Sequence, residues 1–247
     1  MSMKMVRSAL IIIILTIAWG CNTMIGERGN GVVVTHRHDM DEFYKVEIEG
    51  SFNVLLEPGD TPAVTITTDE NLHDFITVEN QGNTLWLGTN KNLVSRDGVN
   101  VVIYYQGLRS LDVGGAAVLR SDQTVEGDYL RISMAGAGAI ELDVDLKALD
   151  LDLSGAGAVE LSGRTVEQNI EMNGAGGLDA GKLISDRCDI SISGVGGANI
   201  NVREKLVASV SGIGGISYRG NPADVQSDVS GIGKISREDD IQQEEQI

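Results

Sequence analysis

The tripeptide Gly-x-Gly occurs six times in the C-terminal half of this chain at nearly constant spacing. The steps between successive first glycines are 19, 19, 20, 18 and 19 residues. A regular period of this length is typical of a solenoid, in which each repeat packs only against its neighbours. The six copies are Gly136-Ala137-Gly138, Gly155-Ala156-Gly157, Gly174-Ala175-Gly176, Gly194-Val195-Gly196, Gly212-Ile213-Gly214 and Gly231-Ile232-Gly233.

Apolar and polar residues alternate on both sides of each copy. Before Gly155, for example, Leu149, Leu151 and Leu153 alternate with aspartates. Period two places one set inside and the other in water. A coil of about 19 residues cannot bury its apolar face alone, so coils must stack in parallel, about 4.8 Å apart. The sequence therefore predicts an all-β, single-stranded parallel β-helix, and right-handed crossovers are the general rule for parallel strands.

Each coil is expected to contain two or three short strands that meet at a glycine corner, where a positive φ or a close backbone approach excludes a side chain. Weaker alternation and turn signals begin near Gly31. They predict roughly four degenerate coils before the six regular ones, and a rod on the order of 50 Å long. In the last coil Val225, Ser227 and Val229 occupy the inward positions of the pattern.

The composition narrows the choice of partners. The formal net charge is -17, from 36 acidic and 19 basic residues. This balance argues against binding nucleic acid or an anionic membrane through a basic patch, and leaves open a cationic partner or bound cations. Aromatic residues make up only 4% of the chain, which fits narrow coils filled by aliphatic side chains.

The N-terminus reads as an export signal. Lys4 and Arg7 precede an apolar stretch from Ala9 to Trp19, which is short for a transmembrane helix. Cys21 follows Gly20, as in a bacterial lipoprotein signal, and we expect lipidation at Cys21. The predicted organisation is a signal peptide at 1–20, a tether at 21–30, a parallel β-helix at 31–236 and an acidic disordered tail at 237–247. The expected location is the cell envelope, on either face of the outer membrane.

The glycine motif does not predict a phosphate site, because such a site needs one loop between a strand and a helix. A weak calcium hypothesis rests on an outward row of acids three residues after the corners, formed by Glu141, Glu160 and Asp179. No cofactor is predicted. With Cys21 lipidated, Cys188 has no disulfide partner, and its alternation with isoleucines predicts a buried thiol.

Two further groups of residues are candidates for catalysis or metal binding. Asp150 and Asp152 are close enough in the chain for carbohydrate-active catalysis, which needs paired acids in a cleft. The repeats lack the long loops that usually form such a cleft. His36 and His38 could ligate a metal from one strand face, although a polar N-terminal cap is the favoured interpretation.

The whole pattern resembles a known family. A lipoprotein-like signal precedes an opening strand with Phe43, Val46 and Ile48, and Ser/Asn-Gly-x-Gly corners follow in series. This combination is similar to the head GIN domain proteins, described as autotransporter adhesins. The resemblance spans about residues 31–235 and implies a single-domain, pectin-lyase-like β-helix with a role in adhesion. That role rests on fold analogy.

The main functional hypothesis is accordingly a non-enzymatic, lipid-anchored adhesin that binds a protein or glycan through its repetitive surface. A carbohydrate-active enzyme and a periplasmic structural component are the alternatives, and a homo-oligomer is left open.

Overall fold

The computed structural model describes residues 26–238, and its regular secondary structure is nearly all β, with 73% strand and 3% helix. The predicted signal peptide and Cys21 lie outside the described residues, as does residue 239 onwards of the predicted tail. The all-β solenoid with coils of about 19 residues is confirmed, and its right-handed sense stays a prediction. Within residues 26–238, no helix is long and apolar enough to cross a membrane.

The first third of the described chain contains short strands that build the start of the solenoid. They are β1 (Glu27–Arg28), β2 (Val33–Asp39), β3 (Lys45–Glu49), β4 (Ser51–Pro58), β5 (Ala63–Asp69), a 3₁₀ helix (Glu70–Phe75), β6 (Ile76–Gln81), β7 (Thr84–Thr89), β8 (Leu93–Val94) and β9 (Asn100–Tyr105). β3 and β4 pair in parallel with β7 and β9. β5 runs antiparallel to β9, β2 antiparallel to β5, and β6 antiparallel to β7.

These antiparallel pairs correct the expectation of a parallel helix from residue 31 onwards. The solenoid has about seven turns, fewer than the ten expected, because β2, β5 and β6 do not form further coils. Turn signals such as Asn80-Gln81-Gly82-Asn83 mark a hairpin, and a hairpin reverses the chain. Leu72 in the 3₁₀ helix is fully buried, so this end of the core is covered.

The rest of the chain forms the regular coils. Its strands are β10 (Ser110–Val113), β11 (Ala116–Ser121), β12 (Val125–Met134), β13 (Ala137–Leu153), β14 (Ala156–Met172), β15 (Ala175–Ile192), β16 (Val195–Val210), β17 (Ile213–Arg219), β18 (Asp224–Val229) and β19 (Ile232–Arg237). The expected short strands are wrong for the central coils. There, one continuous bent strand of 16 to 18 residues runs from each corner to the next.

Inward side chains stack in rows along the solenoid axis. Leu151, Ile170, Ile190 and Ala208 are direct neighbours in successive coils, and each is at most 2% exposed. Cys188 lies in the adjacent row and is 3% exposed, which confirms the prediction of a buried thiol. Burial of aliphatic area in these rows is the main stabilising contribution, at about 25 cal/mol per Å².

The longest spacing between successive corners is accommodated by irregularities in strand pairing that lie away from the corners. The step from Gly174 to Gly194 is 20 residues. The pairing of β14 with β15 shifts between Glu160 and Ser162, and that of β15 with β16 shifts between Ala180 and Ile184. A bulge of this kind takes up an extra residue in one strand. The corners therefore stay in register while the bend beyond them varies.

Candidate functional site

The glycine corners are sites of close approach between coils. A Cβ atom at Gly155 would overlap the carbonyl oxygen of Gly136, and the same relation joins Gly174 to Gly155. The next amide after each first glycine donates to the preceding coil, as Ala156 N does to Gly136 O at 2.9 Å. Of the twelve corner glycines only Gly138 has a positive φ, of 146°. Close packing, and not backbone conformation, therefore excludes side chains from most corners.

Two earlier coils also have the glycine corner, although they lack the full Gly-x-Gly motif. Ala137 is in register with Ala116, and Ala116 with Ser51. Gly115 and Gly50 keep the first glycine of the corner, and a Cβ at Gly115 would overlap the backbone of Gly50. Gly114-Gly115 is recognisable in the sequence as an irregular copy of the corner, although Ala117 replaces the second glycine. The Gly50 corner is not recognisable from the motif, because Phe52 replaces the second glycine. The isolated Gly50-Ser51 between two alternating stretches was the available signal.

A groove, here called the corner groove, runs along the solenoid beside the corners and has a volume of about 810 Å³. Its floor is formed by residues with little or no side chain, and its acidic wall by the row that contains the calcium candidates. The floor comprises Ala139, Ala158, Gly177, Gly197 and Gly215, with Lys234 at its end, and the wall comprises Glu141, Glu160, Asp179, Asn199, Ser217 and Ser236.

Gly177 shows why the groove exists. Its neighbour Gly176 has no room for a Cβ, whereas a Cβ at Gly177 would have no heavy atom within 4 Å. At Gly177 the floor is open because the residue is small and not because packing forbids a larger one, whereas a Cβ at Gly215 would lie 3.1 Å from the carbonyl oxygen of Lys234. A substitution at Gly177 can therefore fill the groove without distorting the coil.

The middle of the acidic wall carries a cross-coil ion pair. Lys182 Nζ lies 2.9 Å from Glu160 Oε1, and the hydrogen bond to Glu160 raises the pKa of Lys182. Glu141, Glu160 and Asp179 are successive neighbours in register. Within residues 26–238 no group of three or more His, Cys, Asp or Glu side chains is arranged to hold a metal ion. The calcium hypothesis stays a prediction.

The acids of the enzyme hypothesis lie on another face, in a depression of about 410 Å³. Asp150 accepts hydrogen bonds from the Tyr129 hydroxyl at 2.7 Å and from Asn169 Nδ2 at 2.9 Å. The bond to Asp150 raises the pKa of Tyr129. Asp152 lies 3.8 Å from Arg131 Nη2. Asp150 and Asp152 Oδ2 thus have partners within their own face, whereas Asp152 Oδ1 is buried without a hydrogen-bond partner among the described residues.

The histidines lie at the N-terminal end of the solenoid. His36 and His38 are on β2, an exposed strand paired with β5, in agreement with the favoured cap interpretation. The rings of His36 and His73 lie 4.1 Å apart, centroid to centroid. Burial lowers the pKa of His73, and the nearby His36 and His38 lower it further. This cluster belongs to the covered end and is remote from the regular coils.

The chain is similar to known proteins both in sequence pattern and in fold. A family model described as "Putative auto-transporter adhesin, head GIN domain" matches residues 42–222 of the chain. No functionally curated protein matches it.

Several crystal structures share the fold. A putative adhesin from Bacteroides fragilis NCTC 9343 aligns with a TM-score of 0.81 and 24% identity, over 86% of this chain and 100% of the other. A putative adhesin from Parabacteroides merdae ATCC 43184 gives 0.65 and 24%, over 85% and 98%. A putative lipid binding protein from Parabacteroides distasonis ATCC 8503 gives 0.67 and 20%, over 85% and 98%.

Proposed function

Because the chain belongs to the head GIN domain family of auto-transporter adhesin-like proteins, as its sequence pattern predicted, we propose that it is a non-enzymatic binding protein of the cell envelope. Its ligand is a neutral or cationic glycan chain held in the corner groove. The observation that carries this proposal is the groove itself, which continues across successive coils with the same row of polar side chains on one wall.

A repeated groove suits a repeated ligand. Each coil offers one small floor residue and one polar wall residue, and coils recur about every 4.8 Å. Contacts that are weak singly add along an extended chain once the first is made. A polymer of similar units can use each coil in turn, whereas a compact ligand would use one or two.

The chemistry of the wall favours a glycan over a peptide strand. Carboxylate, amide and hydroxyl groups at Glu141, Asn199 and Ser217 can accept or donate hydrogen bonds to sugar hydroxyls. The backbone groups beneath them already pair with the coils on either side. A peptide therefore cannot add a strand here, although strand addition is how extended peptides bind sheets. The acids disfavour an anionic polymer.

Retention on insoluble polysaccharides tests the proposal. We expect the full chain to be retained on a neutral β-glucan or on chitosan, and less on polygalacturonate. Gly177→Leu should weaken retention because it fills the floor, and Ser154→Leu is the matched control, since Ser154 is exposed and lies outside the groove. Equal retention of the two variants, or no retention by the unmodified chain, would refute the glycan proposal. Binding to phospholipid vesicles instead would point to a lipid ligand, the class named for the Parabacteroides distasonis protein.

The absence of catalysis is tested on the same samples. The bound polysaccharide should be recovered at unchanged chain length after prolonged incubation. Shortening that is abolished by Asp150→Asn and Asp152→Asn would replace this proposal by the enzyme hypothesis.

We also propose that Cys21 carries the lipid that anchors the protein. Protease treatment of intact cells, with an epitope tag at the C-terminus as reporter, distinguishes the two faces of the outer membrane. Loss of the tag without lysis supports a surface adhesin. Protection until the outer membrane is opened would overturn that part and favour a periplasmic component. A Cys21→Ser variant should leave the membrane fraction.

A further inference from the structure

The two ends of the solenoid differ. At the C-terminal end, β18 pairs with β16 and β19 pairs with β17. Within the described residues, the edge of β18 opposite β16 has no partner strand. Val225 and Val229 point into the coil by register with Leu206 and Val210. Both valines are nevertheless 42% exposed. The expected burial of these inward positions is therefore wrong, because within residues 26–238 no further coil lies beyond β18.

The N-terminal end is closed. Its inward apolar residues are buried, as at Val64, Ile66 and Leu72, whereas Val33 at the start of β2 is 48% exposed. The outermost strand β2 carries Arg37 and Asp39 at its exposed edge, and charged side chains of this kind discourage strand pairing. The neighbouring edge strand β6 runs against β7. These charges and the antiparallel strands make the N-terminal end a poor continuation for the parallel coils of another copy.

We propose that the open C-terminal end is a homodimer interface, in which β18 of two copies pair antiparallel about a two-fold axis through Ser227. A head-to-tail contact is disfavoured by the charges and the antiparallel strands of the N-terminal end, and an isologous contact between two C-terminal ends closes after two subunits. Pairing at β18 continues the sheet across the axis and covers the exposed valines on both sides.

The sequence of β18 is self-complementary in this register. The five residues centred on Ser227 are Val-Gln-Ser-Asp-Val. Val225 then lies opposite the partner subunit's Val229, and Gln226 opposite the partner subunit's Asp228. Residues directly opposite in an antiparallel pair point to the same face, so apolar side chains meet in the core and polar ones meet outside. A shift of one residue would place valines opposite polar side chains.

The charges also favour this contact despite the strongly acidic chain. The acids of β18 do not face each other, because Asp228 lies opposite an amide. Asp224 is already paired with Lys205 at 3.6 Å. Like charges directly opposite each other would destabilise a strand pair. In the outward row of the central coils, by contrast, Asn169 lies between Asp150 and Asp189 of the two adjacent coils, so acids predominate in that row.

Disulfide trapping tests the register. Opposed Cα atoms in antiparallel strands are about 4.5–5.5 Å apart, within the range that a disulfide spans. The full chain with Ser227→Cys, purified in mild detergent and treated with a mild oxidant, should give a reducible band of twice the subunit mass on a non-reducing gel. Ser154→Cys is the matched control on the side of the solenoid. The unmodified chain measures the background from Cys21 and Cys188.

A strong Ser227→Cys dimer that falls several-fold when Val225→Asp is added supports the proposal. No dimer from Ser227→Cys, or an equal yield from Ser154→Cys, overturns it. A dimer that forms only after residues 239–247 are deleted also overturns it, since the chain's own C-terminal segment would then be the native cover. Because Ser227 and Val225 are exposed, the variants should fold, which circular dichroism checks.

Discussion

Gly155 faces the carbonyl oxygen of Gly136 one coil earlier, and a Cβ atom added at Gly155 would overlap that oxygen. The same contact recurs from coil to coil, since Gly174 faces Gly155 and Gly194 faces Gly174. The corner is thus a stack of backbone against backbone. Side chains are excluded there even though the position is only partly buried.

Gly155→Ala is expected to destabilise the protein by about 1–3 kcal/mol, the usual cost of overpacking. Two coils must move apart, or the corner must bend, to admit the methyl group. Ala156→Ser is the control, because Ala156 is exposed and its side chain points away from the stack. The denaturation midpoint in guanidinium chloride measures both. Equal midpoints would show that the corners are looser than the structure indicates.

Asp69, at the end of β5, joins Gly31 and Ser95 at the N-terminal end of the solenoid. Its carboxylate accepts hydrogen bonds from the Ser95 hydroxyl and from the Gly31 amide, each at 2.6 Å. These bonds, that of Ser95 first, lower the pKa of Asp69. Because the pKa of Asp69 is lower in the folded than in the unfolded state, ionised Asp69 stabilises the fold at pH values above its unfolded pKa of about 3.9. This stabilisation is lost as the pH falls through the pKa of the folded state.

Asp69→Asn should therefore lower the thermal midpoint at pH 7 and make the decline below about pH 4 less steep. Asp97→Asn provides a comparison, since Asp97 is exposed in the same region. Thermal melts at a series of pH values give the result. An unchanged acid profile in Asp69→Asn would show that other carboxylates govern acid unfolding.

The Cys188 thiol should be inert in the folded protein. Burial raises its pKa, with a smaller contribution from Asp189, and only the thiolate is strongly nucleophilic. In a Cys21→Ser background, we expect a disulfide reagent to modify Cys188 at pH 8 only after denaturant is added. Rapid modification of the native protein would mean that the coil opens locally near β15.

The ion pairs between coils should contribute little to stability. Arg187 Nε lies 2.9 Å from Glu167 Oε1, but the two side chains are 47% and 50% exposed. Arg187→Gln is expected to cost less than about 1 kcal/mol. Leu206→Ala, which changes a fully buried residue in register with Cys188 in the next coil, should cost about 2–5 kcal/mol. Chemical denaturation compares them, and a larger loss in Arg187→Gln would contradict this ranking.

The length and the inward face of the regular coils were predictable because their signals are local. Period-two alternation places Leu151, Ile170 and Ile190 on the inner face of their strands, whatever the neighbouring coils do. The repeating glycines set the length of each coil. The family resemblance was visible for the same reason, since it depends on the opening strand and on the corners in series.

The candidate site was only partly predictable. The acids at Glu141, Glu160 and Asp179 stood out as a row, but the floor at Ala158 and Gly177 did not. A groove exists only where small residues from successive coils lie side by side, and that depends on the register between coils. The partners of Asp150 and of Glu160 likewise come from neighbouring coils, at Tyr129 and Lys182.

What the sequence determined by itself is the repeating unit: its length, its inward face and its glycine corner. These follow from the geometry of a single strand and from the size of single residues. Only the tertiary structure decided where the stack begins and ends, with β5 and β2 turned antiparallel over one end and Val225 and Val229 uncovered at the other. Burial at an end depends on whether another coil lies beyond the last strand. The alternation within that strand is the same whether it is covered or not, so the sequence of the strand does not reveal which is the case.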